Sequence, residues 1–149
     1  MQYSEGRMGR IFTLRLEDGD RLPECVEDFA SQQNIESAFC LLLGGIGSGS
    51  IVVGPEDPHG KTITPVLQKI TGAHEAAAVG TLFRDEKGAP VLHMHATMGR
   101  GQKCRTGCIR PGVDTWLVGE FVIVEILDSG MMRATDPTSG FKLLTRRRS

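Results

Sequence analysis

Apolar and polar residues alternate over Gly9–Glu17, where Phe12, Leu14 and Leu16 lie two apart, as one buried face of a strand requires. Asp18-Gly-Asp then turns the chain, and the period lengthens. Leu22, Val26, Phe29 and Ala30 recur at spacings of three and four, which predicts an amphipathic helix over Arg21–Gln33 with Asp20 as its cap. After Asn34, the run from Ile35 to Val53 is too glycine-rich for a helix and reads as a buried strand that bends at its glycines and continues as a second one. Pro55-Glu-Asp-Pro-His-Gly marks a surface loop. Further strands are predicted at Thr62–Ile70, Ala76–Phe83 and Ala89–Met98, the last two joined by Asp85-Glu-Lys-Gly. Others follow at Thr115–Leu127, Met131–Thr135 and Phe141–Leu144. Many strands in close succession with a single helix give a fold-class expectation of α+β, with a mostly antiparallel sheet and the amphipathic helix packed on one face.

Length and composition bound this picture without changing it. At 149 residues the chain is the size of one domain, read here as residues 1–149. Apolar residues make up 40% and charged residues 23%, which excludes an intrinsically disordered chain. The 19 glycines suit tight turns and close strand contacts. The glycines of Gly44-Gly-Ile-Gly-Ser-Gly are followed by neither the lysine of a P-loop nor a helix, so a bent strand is the better reading than a phosphate cradle.

A net charge of −1 argues against nucleic acid as the main partner, and Arg146, Arg147 and Arg148 read as a solvated terminus. With no apolar run of membrane-spanning length and no signal-like start, the expectation is a cytoplasmic protein without a membrane partner. In that compartment Cys25, Cys40, Cys104 and Cys108 are expected as buried thiols or metal ligands rather than disulfides.

Candidate chemistry concentrates in Val91-Leu-His-Met-His-Ala-Thr-Met. A strand there sends Leu92, Met94, Ala96 and Met98 to one face and presents His93 and His95 together on the other. A few residues on, Cys104-Arg-Thr-Gly-Cys-Ile can return as a neighbouring strand and bring Cys108 beside the imidazoles. Two nitrogens and a sulfur suit Zn²⁺ or another divalent transition metal, with a fourth position left open unless Cys104 also coordinates. Glu75 and Glu120 are candidate bases near such an ion, with surface or interface roles as the commoner alternative. Arg100, Lys103, Arg105 and Arg110 surround the predicted ligands in sequence and offer attraction for a small anionic ligand. His59 and His74 have no paired spacing and read as surface or turn residues.

The segments His93-Met-His-Ala-Thr-Met, Thr106-Gly-Cys-Ile-Arg-Pro-Gly and Gly119-Glu-Phe-Val-Ile together resemble the PPC (plants and prokaryotes conserved) domain. The likeness extends to Arg15-Leu-Glu-Asp-Gly-Asp, Gly45-Ile-Gly-Ser-Gly-Ser and Ala76-Ala-Ala-Val-Gly-Thr-Leu. The resemblance implies an α+β domain assembled as a homotrimer, with three motif histidines near a subunit boundary. His93 and His95 carry over, and Cys108 stands where the family has its third histidine, which shifts the preference toward softer ions.

Plant members join this domain to AT-hooks, and Gly99-Arg-Gly-Gln-Lys lacks the proline of such a segment. The expected function is a zinc-type metal-binding oligomeric module for a small ligand or partner. The alternatives are a metal-dependent hydrolase or lyase at the same site and a DNA-associated regulatory protein.

Overall fold

The computed structural model describes residues 1–60 and 63–147. Its elements run β1 (Arg7–Glu17), β2 (Arg21–Leu22), α1 (Glu24–Gln32), β3 (Ser37–Pro55), β4 (Pro65–Arg84), β5 (Pro90–Arg100), β6 (Lys103–Ile109), β7 (Val113–Leu127), β8 (Met131–Thr135) and β9 (Lys142–Arg146). The main sheet is ordered β1-β7-β3-β4-β5-β6, with β2 paired to β7 and every ladder antiparallel, while β8 and β9 form a separate hairpin. This bears out the antiparallel sheet with one short helix. Among the described residues, no helix is long and apolar enough to cross a membrane.

The helix begins later than its periodicity predicts. Arg21 and Leu22 pair with Asp114 and Val113 of β7, and Pro23 is the N-cap without a side-chain hydrogen bond. Asp20 does not cap the helix. Its carboxylate accepts the Glu17 N–H at 2.8 Å and closes the preceding turn. A sheet partner for Leu22 thus overrides a helical spacing that Leu22 fits equally well. The nine-residue helix buries Val26 and Ala30 in the core cluster, and Phe29 meets Phe12 edge to face at 5.3 Å.

The strands predicted separately at Thr62–Ile70 and Ala76–Phe83 form the single strand β4, although Thr62 itself lies outside the described residues. Within Thr71-Gly-Ala-His the ladder continues across a bulge: His74 pairs with Ile46 and Thr71 with Ser48, and the register shift between them absorbs the change of direction. A further register shift, in the ladder with β7, falls between Gly44 and Gly45, and Gly44 permits it. Its φ is 139°, and a Cβ there would meet the Val118 carbonyl and come within 2.7 Å of Gly119 Cα.

The bend also lets the far half of β3 reach β6, where Ile51 and Val52 pair with Ile109 and Cys108. The core lies on the concave side of this curled sheet, around Leu22, Ile46, Leu82, Met94 and Phe121. Burying each such side chain contributes on the order of 1.5–3 kcal/mol. Within the C-terminal arginine run, Arg146 ends β9, Arg147 pairs with Glu36 at 3.0 Å, and Arg148 lies outside the described residues.

Candidate metal centre

Strand β5 buries Leu92, Met94, Ala96 and Met98 and leaves His93, His95 and Thr97 exposed, as period two requires. Its start is fixed by α1, because Glu27 Oε1 accepts the Leu92 N–H at 2.8 Å. One residue past that bond the two imidazoles converge. Their Nε2 atoms are 3.2 Å apart, and their rings stand nearly perpendicular at 87°.

Cys108 arrives from β6, in register with His95 on one side and with Val52 on the other. Pairing on both sides fixes its backbone. One ligand atom from each of His93, His95 and Cys108 lies within 4.8 Å of the other two, so the structure brings together all three residues that the sequence singled out.

Partial desolvation of the ring is the first cause that holds the His93 pKa below the ordinary imidazole value, followed by the charges of Arg133, His95 and Arg110. Burial pushes the Cys108 thiol up, and Arg110 and Arg133 pull against it. The first keeps the imidazole neutral and free to donate; the second keeps the thiol protonated unless a bound cation displaces its proton.

Cys104 is exposed and faces Gly99 in the ladder, four residues from Cys108. That spacing is about 13 Å along a strand, which separates it from the three-donor group. Cys25 and Cys40 also lie elsewhere, and burial pushes their thiols up to about 11 and about 12.

Glu75 faces Gly99, so it stands four residues from the position facing His95. Glu120 sits on the same outer face, three strands across in the row Thr97–Ala77–Leu43–Glu120, a distance of about 14 Å. Neither carboxylate joins the three-donor group.

The basic residues fall into two groups. Arg110 lies just past β6, its N–H bonded to the Ser50 carbonyl at 3.2 Å, while Arg100, Lys103 and Arg105 line a depression with Thr71 and His74. His59 is exposed, as expected. His74 is 8% exposed rather than a surface residue, and its Nδ1 lies 2.7 Å from the Gly72 carbonyl oxygen. The alternation that exposes Glu75 turns His74 toward the core side.

Arg133 is the site residue that sequence reasoning missed. It lies on β8, is 6% exposed, and donates from Nη2 to Thr81 Oγ1 at 3.0 Å. Thr81 pairs with His93. A lone arginine in Met131-Met-Arg-Ala-Thr carries no spacing signal that would tie it to a histidine forty residues earlier.

Apolar side chains continue the histidine face. His95 faces Val79, Val79 faces Leu41, and Leu41 faces Val122, with Leu41, Leu43 and Val79 exposed.

The profile of the Plants and Prokaryotes Conserved (PCC) domain matches residues 3–127. A metal-containing protein from Archaeoglobus fulgidus superposes with a TM-score of 0.84 at 22% identity, covering 98% of this chain and 100% of that one. A plant- and prokaryote-conserved (PPC) protein from Pyrococcus horikoshii gives 0.80 at 20% identity, with each chain fully covered. A proposed DNA-binding protein from Bacteroides thetaiotaomicron gives 0.80 at 19% identity over 99% of this chain and all of that one. These likenesses show the fold. The bifunctional protein GlmU of Synechococcus sp. (strain JA-3-3Ab) is 26% identical over 133 residues, 89% of this chain, and the match spans 20% of that protein's length.

Proposed function

The chain belongs to the Plants and Prokaryotes Conserved (PCC) domain family, and on that premise we propose that it is an oligomeric metal-binding module for a small ligand or partner. His93, His95 and Cys108 are its metal ligands. The observation that carries the reading is the convergence of their donor atoms within 4.8 Å on one face of the sheet. The donor set fits a zinc-type ion. Two imidazole nitrogens sharing a tetrahedral ion at about 2.0–2.1 Å stand about 3.3 Å apart, and the Nε2 atoms here are separated by 3.2 Å. The thiol adds a soft donor, and three protein ligands leave one position for an external group. When bound, the ion supplies Lewis acidity at that position.

A binder is favoured over a hydrolase or lyase because Glu75 and Glu120 are held by register away from the donors, which leaves neither placed as a base for a bound water. DNA association is supported only by how neighbours of similar fold are described, and a net charge of −1 weighs against it. The homotrimer is supported by the exposed Leu41, Leu43 and Val79, an apolar surface that further copies of the chain would cover.

The test is elemental analysis of protein purified without added metal or affinity tag, repeated on His93→Ala and Cys108→Ala. Stoichiometric zinc or another transition metal in the native chain, and its loss in both variants, supports the reading. Unchanged stoichiometry in both variants rejects these ligands.

A further inference from the structure

The β8–β9 hairpin lies beyond the 3–127 segment that matches the family, yet it places a charge at the histidine face. Asp85 fastens it there. Asp85 forms an isolated parallel bridge with Arg133, and its Oδ2 receives Lys142 Nζ at 2.7 Å. The Arg133 side chain then reaches Thr81, the cross-strand partner of His93.

Its guanidinium is buried without an anion. Among the described residues it forms no salt bridge; Thr81 Oγ1 is its only hydrogen-bond partner, and Nε is buried with none. Desolvating a cation without a partner is costly, so such an arrangement calls for an anion from outside the chain. Arg110 follows Cys108 by two residues, with its N–H held by the Ser50 carbonyl at 3.2 Å, and it also has no salt-bridge partner among the described residues.

We propose that Arg133, with Arg110, forms the oxyanion-binding wall of the His93–His95–Cys108 centre and receives the carboxylate or phosphate of a small anionic ligand. This rests on the metal reading above and names the ligand class for that site. Two neutral imidazoles and one thiolate leave a divalent ion with one uncompensated positive charge, and two guanidiniums raise the local excess to three. A neutral ligand leaves that excess standing; an oxyanion reduces it. The planar fork of arginine matches the paired oxygens of either group, and its charge persists across the accessible pH range. The apolar row through Val79 and Leu41 begins beside His95 and offers contact to the rest of such a ligand.

The experiment first measures zinc content. It then titrates the zinc-loaded and zinc-free chain calorimetrically with inorganic phosphate and with acetate at fixed ionic strength. The zinc-loaded native chain is expected to take up one anion per chain. Arg133→Gln is expected to weaken uptake at least tenfold and Arg133→Lys less, and the preferred anion distinguishes a phosphate ligand from a carboxylate one.

Uptake of neither anion by the native chain, or equal affinity in Arg133→Gln, overturns the proposal. Should Arg133→Gln not fold, Thr81→Val removes only the hydroxyl that positions the guanidinium. A threefold or larger loss there supports the proposal, and unchanged affinity overturns it. If the native chain holds no zinc, the metal reading fails on that measurement alone. Anion uptake by the zinc-free chain then decides the role of Arg133: dependence on Arg133 supports it, and no uptake overturns it.

Discussion

His95 and Cys108 face each other in register across the β5–β6 ladder, and the same cysteine is paired on its other side with Val52 of β3. The thiol is therefore set by two strands that meet only because β3 bends. Replacing Cys108 with Ala is expected to lower zinc affinity by more than about 100-fold, since losses of outer-sphere contacts alone reach 10–100-fold. Cys108→His is expected to retain binding with a weaker preference for soft ions. Competition against a chromophoric chelator measures both.

Helix α1 is tied to the start of β5 by Glu27, whose carboxylate takes the Leu92 N–H one residue before His93. Glu27→Ala leaves that N–H without its acceptor and is expected to cost about 1–3 kcal/mol. Glu27→Gln keeps an acceptor oxygen and should cost less. Urea unfolding of the two variants side by side checks the order.

The bend at Gly44 allows no side chain. Gly44→Ala combines a φ of 139° with a backbone collision at Val118 and Gly119, and is expected to destabilise by about 2–3 kcal/mol. Because the bend brings β3 to Cys108, zinc affinity should fall with stability. A destabilised variant with native zinc affinity would separate the bend from the site.

Arg10 grips Glu125 with two side-chain hydrogen bonds of 2.8 and 2.9 Å, and the guanidinium holds that carboxyl below its usual range. A depressed carboxylate contributes stability that is fully present above its unfolded pKa, about 4.3, and is lost as pH falls through the lower folded value. Native protein should therefore exceed Glu125→Gln in urea midpoint near neutral pH, and the gap should close below about pH 4. A gap that widens on acidification contradicts this assignment.

Leu41, Leu43 and Val79 form an exposed apolar surface beside His95. Light scattering should give three times the 16.2 kDa chain mass. Val79→Glu, a charge in the middle of that surface, should shift the mass toward one chain while the far-ultraviolet spectrum persists. A native chain of monomer mass removes the trimer.

Much of the site was legible because its information is local. His93 and His95 share a face through the two-residue period of a single strand, and Cys108 follows after a connection short enough to return as the next strand. The alternation around Phe12, the bent glycine-rich run and the apolar stretch of β7 were legible for the same reason.

The start of α1 was not. Leu22 satisfies both a helical and a strand pattern, and only its partner Val113, more than ninety residues away, decides between them. Parity likewise turned His74 inward, and pairing across strands set Arg100, Lys103 and Arg105 in a group without Arg110.

By itself the sequence determined the strand faces, and through them a pair of imidazoles with a thiol within reach, because periodicity is a property of neighbours along the chain. The tertiary structure alone decided that Arg133 sits beside His93 and that Glu75 and Glu120 stay apart. Those relations depend on how Asp85 seats the β8–β9 hairpin and on which strands pair in the main sheet, and no local spacing encodes a contact whose partners are set by that packing.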